Sequence, residues 1–260
     1  MSLLQVQGLG INFGGLIAVN DLTFSVEKGE IYSIIGPNGA GKTTLFNMIS
    51  GVYRPSIGRV LLNGADVTRM RPDRLAKMGM CRTFQNLQIF FRMSVLENVM
   101  VGRHLHEKRS FFPHFFGLPS VGRQNQASAD KAMELLKLVR LDKDADTIAG
   151  NLSYGALKRL EIARALAAEP AILLLDEPAA GCNSVETAEI EHLIQDIAKT
   201  GVTIVLVEHD MKLVMKISDR ILVLLYGRKL TEGTPAEVRQ NPEVIAAYLG
   251  SHGQKEADRA

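Results

Sequence analysis

The chain has 260 residues, of which 46% are hydrophobic and 22% are charged, and its formal net charge is +2. The length predicts one or two domains, and the composition excludes wholesale disorder. The balanced charge argues against a protein that works on nucleic-acid backbones. Two cysteines, Cys81 and Cys182, fit a reducing compartment. Because there is no secretory signal pattern and no run of ~18 apolar residues, we expect a soluble, cytoplasmic protein that reaches a membrane only through a partner.

The amino-terminal segments alternate between apolar and polar residues. Leu3–Gly8 and Leu22–Val26 show this period of two, with short turns after each segment. Val60–Leu62 leads into a turn at Asn63-Gly64. Alternating runs joined by glycine-containing turns predict a small antiparallel sheet at the start of the chain.

Four further apolar runs hardly alternate, and each ends at turn or polar residues. They are Ile31–Ile35, Ala171–Leu175, Val202–Val207 and Ile221–Leu225. Such runs are typical of strands covered on both faces. Helical patterns at Lys42–Ser50 and Glu186–Lys199 lie between them. Strands that alternate with helices predict an α/β fold with a mostly parallel sheet.

The segment from about Asn86 to Gly150 has no strand pattern. Ser94–Val101 and Ala127–Val139 read as helices, with an aromatic loop at Phe111–Phe116 between them. We therefore expect a core at 1–85 and 160–250 that carries the sheets, an inserted helical subdomain at 86–159 and a frayed tail at 251–260. A run of basic residues is interpreted as a solvated face: Arg69, Arg71, Arg74, Lys77 and Arg82.

A glycine-rich segment follows the first buried strand and opens a helix. It consists of Gly36, Pro37, Asn38, Gly39, Ala40, Gly41, Lys42 and Thr43, and it matches G-x-x-x-x-G-K-[ST] in full. Glycines let backbone N–H groups turn toward phosphates, Lys42 supplies a charge to the β- and γ-phosphates, and the Thr43 hydroxyl can ligate Mg²⁺. The alternative is a glycine-rich turn without a ligand. The pattern favours bound phosphates with Mg²⁺ over this alternative.

Two acids stand at the carboxyl end of another buried strand, the edge where ligands bind in open α/β sheets. Asp176 is placed to hold Mg²⁺, and Glu177 to polarise an attacking water. Alone, the pair could equally cap the next helix. No histidine shows metal-ligand spacing with the cysteines, so we expect no metal site built only from protein ligands.

Leu152-Ser153-Tyr154-Gly155-Ala156, followed by a helix at Leu157–Ala168, resembles the LSGGQ signature of ABC transporter ATP-binding subunits. Other elements of that family match in order along nearly the whole chain. They are Phe13 before Gly14-Gly15 for the adenine-stacking aromatic residue, Gln85 for the Q-loop, Gly181-Cys182-Asn183 for the D-loop and His209 for the switch histidine. Alone, Phe13 could be a packing residue and His209 a structural one.

The resemblance implies a role for each matched residue. ATP with Mg²⁺ binds at Gly36–Thr44, which is the glycine-rich segment together with Thr44, and Phe13 stacks on the adenine. Gln85 and Asp176 serve the metal and water, Glu177 is the general base, and His209 senses the γ-phosphate. Ser153 and Gly155 complete the site of a second ATP-binding subunit in a head-to-tail dimer. The sequence departs from the family at Ala156, usually Gln, which removes a side-chain contact to the nucleotide, and at Cys182, usually Leu, which lies at the dimer interface.

Four segments resemble the branched-chain amino-acid importers within that family. They are Arg82-Thr83-Phe84-Gln85, Pro178-Ala179-Ala180-Gly181, Glu208-His209-Asp210-Met211 and Tyr248-Leu249-Gly250. The resemblance implies ATP hydrolysis that powers solute import through separate permease subunits, with a solute-binding protein as an indirect partner. The subunit would lie peripherally on the cytoplasmic face of the inner membrane. The alternatives are the ATPase of a lipid or lipopolysaccharide exporter and a soluble, non-transport ABC ATPase.

Overall fold

The computed structural model describes residues 2–105 and 119–248, and the chain begins there with a long hairpin. Strands β1 (Ser2–Phe13) and β2 (Leu16–Glu27) pair antiparallel. Their turn uses Gly14 and Gly15, both at positive φ, a conformation that glycine adopts without a Cβ penalty. Strands β4 (Ile57–Leu62) and β5 (Ala65–Asp66) complete a four-stranded sheet in the order β2-β1-β4-β5. The predicted antiparallel sheet is present.

The second sheet has six strands in the order β10-β9-β3-β8-β7-β6. They are β3 (Ile31–Ile35), β6 (Met80–Arg82), β7 (Ile172–Asp176), β8 (Thr203–Val207), β9 (Arg220–Leu225) and β10 (Arg228–Gly233). The pairs β9–β3, β3–β8, β8–β7 and β7–β6 are parallel, and only the β10–β9 pair is antiparallel. The predicted α/β class with a mostly parallel sheet is confirmed.

In the described part of the chain, eight α-helices and a short helical stretch at its end accompany the sheets. They are α1 (Lys42–Ile49), α2 (Pro72–Lys77), α3 (Val95–Gly102), α4 (Pro119–Leu138), α5 (Tyr154–Leu166), α6 (Ser184–Lys199), α7 (Met211–Ile217) and α8 (Pro235–Gln240), and residues 242–248 are also helical. Short 3₁₀ turns occur at Arg103–Leu105, Asp142–Asp144 and Ala149–Asn151. No described helix is long and apolar enough to cross a membrane.

The parallel sheet is buried on both faces, which explains its unbroken apolar runs. On one face, Leu174 and Val205 pack with Phe46 of α1 and with the antiparallel sheet. On the other face, Leu173 and Leu206 belong to a cluster that includes side chains of α3 through α6. The helical segment therefore shares one core with the sheet, and the polar residues that follow the strands are left at the carboxyl edge.

The predicted helix Leu157–Ala168 begins earlier, at Tyr154, so that Ser153 is its N-cap. It also runs through the predicted subdomain boundary at residue 159, and the division of the chain there stays a prediction. Strand β6 was not predicted. The predicted loop at Phe111–Phe116 and the tail at 251–260 lie outside the described residues.

Candidate nucleotide-binding site

The loop between β3 and α1 holds the predicted phosphate cradle. Gly36 packs so closely against β9 that an added Cβ would lie 2.3 Å from the Leu224 carbonyl oxygen. Gly41, the N-cap of α1, has φ +98°. The Gly227 N–H also donates to the Ala40 carbonyl at 3.0 Å, which fixes the loop against the β9–β10 turn. Both glycines are thus required by the backbone path, and the free N–H groups of α1 open toward the loop.

Lys42 is folded back onto this loop. Its buried Nζ donates to the carbonyl oxygens of Gly36 at 2.7 Å and Pro37 at 3.0 Å. Burial lowers the pKa of Lys42, while the charge of Glu177 acts in the opposite direction. The ammonium group is therefore held by weak neutral acceptors, and an anion in the loop would be a stronger partner.

Glu177, Gln85 and His209 meet at the carboxyl edge of the sheet. Gln85 Nε2 donates to Glu177 Oε2 at 2.9 Å, and His209 Nε2 lies 2.6 Å from Glu177 Oε1. Glu177 follows β7 with φ +49°, a left-handed conformation that is uncommon for a residue with a side chain. Gln85 and Glu177 are 92 positions apart in the sequence, and Glu177 and His209 are 32 positions apart. The fold brings all three into one hydrogen-bonded cluster.

A neighbouring acid, Glu208, supports this cluster and was not singled out from the sequence. One of its oxygens accepts the Ala179 N–H at 2.9 Å, and the other accepts the His209 N–H at 2.8 Å. Burial is the main cause that raises the pKa of Glu208, and these backbone donors act against it. Glu208 thus ties the backbone of His209 to the segment after Glu177. The sequence signal that could have identified Glu208 is its position directly before His209.

Asp176 is buried and pairs with Arg82, whose Nη2 lies 2.6 Å from its Oδ2. The interpretation of the basic run as a solvated face is therefore wrong for Arg82, whose side chain is 8% exposed. It is right for Arg69, Arg71, Arg74 and Lys77, which are exposed. Arg82 ends β6 beside β7, and this strand pairing carries its side chain inward.

A cavity of about 620 Å³ lies over the cradle. It is lined by most of the predicted site residues, namely Asn38, Gly39, Ala40, Gly41, Lys42, Thr43, Thr44, Gln85, Glu177 and His209. Leu16, Ile17, Ala18 and Tyr226 also line it, and sequence reasoning missed them. Leu16, Ile17 and Tyr226 are exposed apolar or aromatic side chains, a pattern that suits a flat ligand face.

Phe13 does not line this cavity. Its ring is 45% exposed and meets Tyr53 edge to face at 5.6 Å between centroids. Gly36, Pro37 and Asp176 are also absent from the cavity lining. The adenine-stacking role of Phe13 stays a prediction.

The signature residues Ser153 and Gly155 likewise do not line the cavity. Ser153 Oγ caps α5 by accepting the Ala156 N–H at 3.3 Å. The Gly155 N–H donates to Glu186 Oε1 at 3.1 Å, so a carboxylate of α6 lies at the positive end of α5. Glu186, which was not predicted to be there, thus occupies the Gly155 N–H, and the role of Ser153 and Gly155 in the site of a second subunit stays a prediction.

The cavity fits a nucleotide in volume and in chemistry. Its size is within the range of small-molecule sites, and its floor combines a helix N-terminus with Lys42. Thr43 and Gln85 line the cavity and offer oxygen ligands, as Mg²⁺ prefers, whereas Asp176 is not part of the lining. Within the described ranges, no group of three or more His, Cys, Asp or Glu side chains is arranged around a common metal position.

Comparison with known proteins places the chain in a family. Residues 19–180, more than half of the chain, match the ABC transporter family model, and residues 228–253 match that of branched-chain amino acid ATP-binding cassette transporters. BraF of Pseudomonas aeruginosa, a high-affinity branched-chain amino acid transport ATP-binding protein, is 45% identical over 95% of this chain and 98% of its own. LivG of Escherichia coli, which carries the same description, is 46% identical over the same shares.

Solved structures agree with this assignment. The ADP conformation of MJ1267, an ATP-binding cassette of an ABC transporter, superposes with a TM-score of 0.83 and 31% identity, covering 96% of this chain and 99% of its own. The family match, the full-length relatives and the shared fold lead to one conclusion. The chain belongs to the ABC transporter family of ATP-binding cassettes, and it is an ATPase.

Proposed function

We propose that this protein hydrolyses ATP to drive the import of branched-chain or related amino acids through separate permease subunits. The observation that carries the proposal is the Glu177 carboxylate, held by Gln85 and His209 at the edge of the phosphate cavity. The names of BraF and LivG, both transport ATP-binding proteins, support amino acids as the cargo. They also favour import over the lipopolysaccharide-exporter and non-transport alternatives.

ATP binds at Gly36–Thr44, with its phosphates on the N–H groups of the loop and of α1. Lys42 exchanges its carbonyl partners at Gly36 and Pro37 for the β- and γ-phosphates. Thr43, Gln85 and Asp176 would hold Mg²⁺, which when bound neutralises charge on the phosphates. The Phe13 ring exchanges its contact with Tyr53 for stacking on the adenine ring.

Glu177 acts as the general base for the attacking water, because its carboxylate already accepts hydrogen bonds at the cavity edge. His209 lies on the other oxygen of that carboxylate and senses the γ-phosphate. Gln85 connects the base to the metal site. Glu208 keeps the backbone of His209 in place, so that this sensor and the base move together.

Two subunits close head to tail, so that Ser153 and Gly155 of one subunit complete the nucleotide site of the other. Neither residue lines its own cavity, and the start of α5 already accepts a carboxylate from Glu186. The donors at the start of α5 are backbone N–H groups. Alanine at position 156, where the family usually has glutamine, therefore leaves these donors intact. Cys182 lies in the segment after Glu177 that would meet the partner; its side chain is half-buried, and burial raises its pKa.

The permease docks in a second cavity, of about 540 Å³. Its wall includes Phe84 and Phe90, which are 43% and 48% exposed, together with Val52 and Val101. This cavity, the groove, fits a short helical segment with apolar side chains on one face. The subunit would then lie peripherally at the cytoplasmic face of the inner membrane, and a solute-binding protein would act on the far side.

Purification of the native complex followed by reconstitution tests this function. We expect permease proteins to copurify, and vesicles that contain the complex to take up labelled leucine only with MgATP. A Glu177→Gln complex should bind ATP and fail to accumulate leucine. Copurified ribosomes or DNA would support the non-transport alternative. Lipid extraction without amino-acid uptake would support the exporter.

A further inference from the structure

The turn between β9 and β10 consists of two residues, Tyr226 and Gly227, since Leu225 pairs directly with Arg228. Both turn residues have positive φ, +49° and +73°, as the type I′ hairpin turn requires. This turn favours asparagine followed by glycine, because asparagine tolerates the left-handed conformation, whereas tyrosine adopts it at a steric cost. The side chain of Tyr226 therefore stands at a position that strains its backbone.

A second turn of the same kind shows which residue the backbone favours. Asn63 and Gly64 join β4 to β5, where Leu62 pairs with Ala65, and their φ angles are +48° and +79°. The two turns thus have similar φ angles, with glycine in the same position in both. They differ in the first residue, which is asparagine in one turn and tyrosine in the other. The backbone conformation does not explain the tyrosine.

Packing does not explain the tyrosine either. Tyr226 is 80% exposed, the largest fraction among the exposed large hydrophobic residues in the described part of the chain. So little of its ring is buried that packing cannot offset the strain of the turn. Strained backbone conformations of this kind cluster at functional sites, and Tyr226 is therefore a candidate for a functional contact.

The turn fixes Tyr226 at the rim of the nucleotide cavity. The Gly227 N–H donates to the Ala40 carbonyl of the cradle at 3.0 Å, and the Asn20 N–H donates to the Gly227 carbonyl at 2.8 Å. The turn also lies close to β2, since a Cβ on Gly227 would be 2.5 Å from the Ala18 carbonyl oxygen. Tyr226 lines the cavity. Its backbone is thus attached to the phosphate cradle, while its side chain is open to a ligand.

The wall of the cavity has two chemically different parts. One part carries the polar and charged side chains that suit phosphates and a metal ion, including Lys42 and Glu177. The other part is apolar or aromatic and consists of Leu16, Ile17, Ala18 and Tyr226. A nucleoside has a flat base, and bases stack on aromatic side chains. The second part therefore fits the nucleoside of a bound nucleotide, with the ring of Tyr226 as a stacking surface.

We propose that Tyr226 contacts the nucleoside of bound ATP or ADP, so that the site binds a nucleotide more tightly than the corresponding inorganic phosphate. The proposal rests on the proposed function for the position of the phosphates at Gly36–Thr44. It adds a residue to Phe13, which contacts Tyr53 and does not line the cavity. The strain at Tyr226 is retained because the ring serves the nucleotide site and not the fold.

Calorimetry on the full-length chain tests the proposal with two ligands, MgADP and magnesium pyrophosphate, neither of which is a substrate for the ATPase reaction. In Tyr226→Asn we expect the affinity for ADP to fall about 5–150-fold, the range of base–aromatic stacking. The affinity for pyrophosphate should stay that of the wild type, because the cradle is intact. Tyr226→Phe should retain both affinities, since it keeps the ring. An unchanged ADP affinity in Tyr226→Asn, or an equal loss for both ligands, would overturn the proposal.

The melting temperature gives a second measurement, in which the expected change has the opposite sign. Tyr226→Asn gives this turn the residues of the other turn and relieves the strain, so the melting temperature should rise by about 2–4 °C while the ADP affinity falls. The reciprocal change, Asn63→Tyr, is the matched control. It should lower the melting temperature and leave the ADP affinity unchanged. A fall in melting temperature in Tyr226→Asn would mean that the tyrosine is structural and would overturn the proposal.

Lys42→Ala distinguishes failure of this proposal from failure of the proposed function. It removes the cation of the cradle, so both ADP and pyrophosphate should bind more weakly. If Lys42→Ala binds both ligands normally, the phosphate assignment is refuted, and the proposal for Tyr226 is overturned with it. If Lys42→Ala loses both ligands and Tyr226→Asn binds ADP like the wild type, only the proposal for Tyr226 is overturned.

Discussion

Replacement of the proposed base, Glu177→Gln, gives the sharpest test of the catalytic site. In the wild type, one carboxylate oxygen accepts from Gln85 Nε2 at 2.9 Å and the other lies 2.6 Å from His209 Nε2. Glutamine keeps the length and shape of the side chain, but its amide is not a proton acceptor at neutral pH. The change therefore removes general-base action and leaves the cradle at Gly36–Thr44 in place.

The two expected magnitudes differ enough to separate chemistry from folding. General-base catalysis is worth about 10²–10⁴-fold, or about 2.7–5.4 kcal/mol of transition-state stabilisation. For stability, two contacts of a charged carboxylate become neutral hydrogen bonds, a loss of about 1–2 kcal/mol. The like charge of Glu208 nearby is relieved at the same time, which offsets part of this loss. We expect turnover to fall by at least about 100-fold while the protein remains folded.

Three measurements check this prediction on one preparation: steady-state ATP hydrolysis, MgATP affinity and gel filtration with MgATP. The variant should bind MgATP, hydrolyse it very slowly and accumulate as a dimer. Glu134→Gln, a surface change in α4 where Glu134 pairs with Lys131, is the control and should match the wild type. A Glu177→Gln protein that stays monomeric and turns over normally would refute the reasoning and make His209 the next candidate for the base.

Lys42→Ala should abolish nucleotide affinity and turnover, because it removes the cation of the cradle; an unchanged KM and rate would contradict the cradle assignment. Gly41→Ala should weaken ATP binding and lower the melting temperature, since its Cβ would lie 2.8 Å from the Ala18 carbonyl oxygen at φ +98°; calorimetry with normal ATP affinity would contradict this. Ser153→Arg should bind ATP as a monomer yet neither dimerise nor hydrolyse it efficiently, and loss of ATP binding by the monomer would contradict the head-to-tail arrangement. Its mixture with Lys42→Ala contains dimers with one intact site, so recovered activity would show that one site suffices.

The sequence predicts those strands and helices in which many consecutive residues follow one hydrophobic pattern. The run Ile31–Ile35 coincides with β3, and the run Val202–Val207 differs from β8 by one residue. Strand β6 escaped prediction because it has three residues, too few for a period to be seen, and its conformation comes from pairing with β7. The start of α5 at Tyr154 depends on the Ser153 cap, which the apolar pattern alone does not locate.

Within the site, the residues of a contiguous motif were likewise predicted, and the contacts between distant residues were not. The cradle is contiguous in sequence, so its residue types and their order could be read directly. Arg82 was misread because its partner Asp176 is 94 positions away, and a basic residue within a basic run gives no sign of burial. Glu186 and Tyr226 reach the signature helix and the nucleotide cavity from distant elements, and neither carries a motif of its own. Local patterns thus identify the chemical groups, while the contacts that orient those groups are set by tertiary packing.

Tertiary packing gives each of the three acids at the carboxyl edge of the sheet a different kind of partner. Asp176, Glu177 and Glu208 follow or end two adjacent strands, and the charge of Glu177 helps to raise the pKa of Glu208. Each has a different compensation: a guanidinium for Asp176, an amide and an imidazole for Glu177, and backbone N–H groups for Glu208. Only Glu177 lines the nucleotide cavity, and its partners are neutral or titratable rather than permanently charged. Arg82, which stays charged, pairs with Asp176 and not with Glu177. The oxygens of Glu177 can therefore exchange a side-chain partner for water, as the proposed role of general base requires.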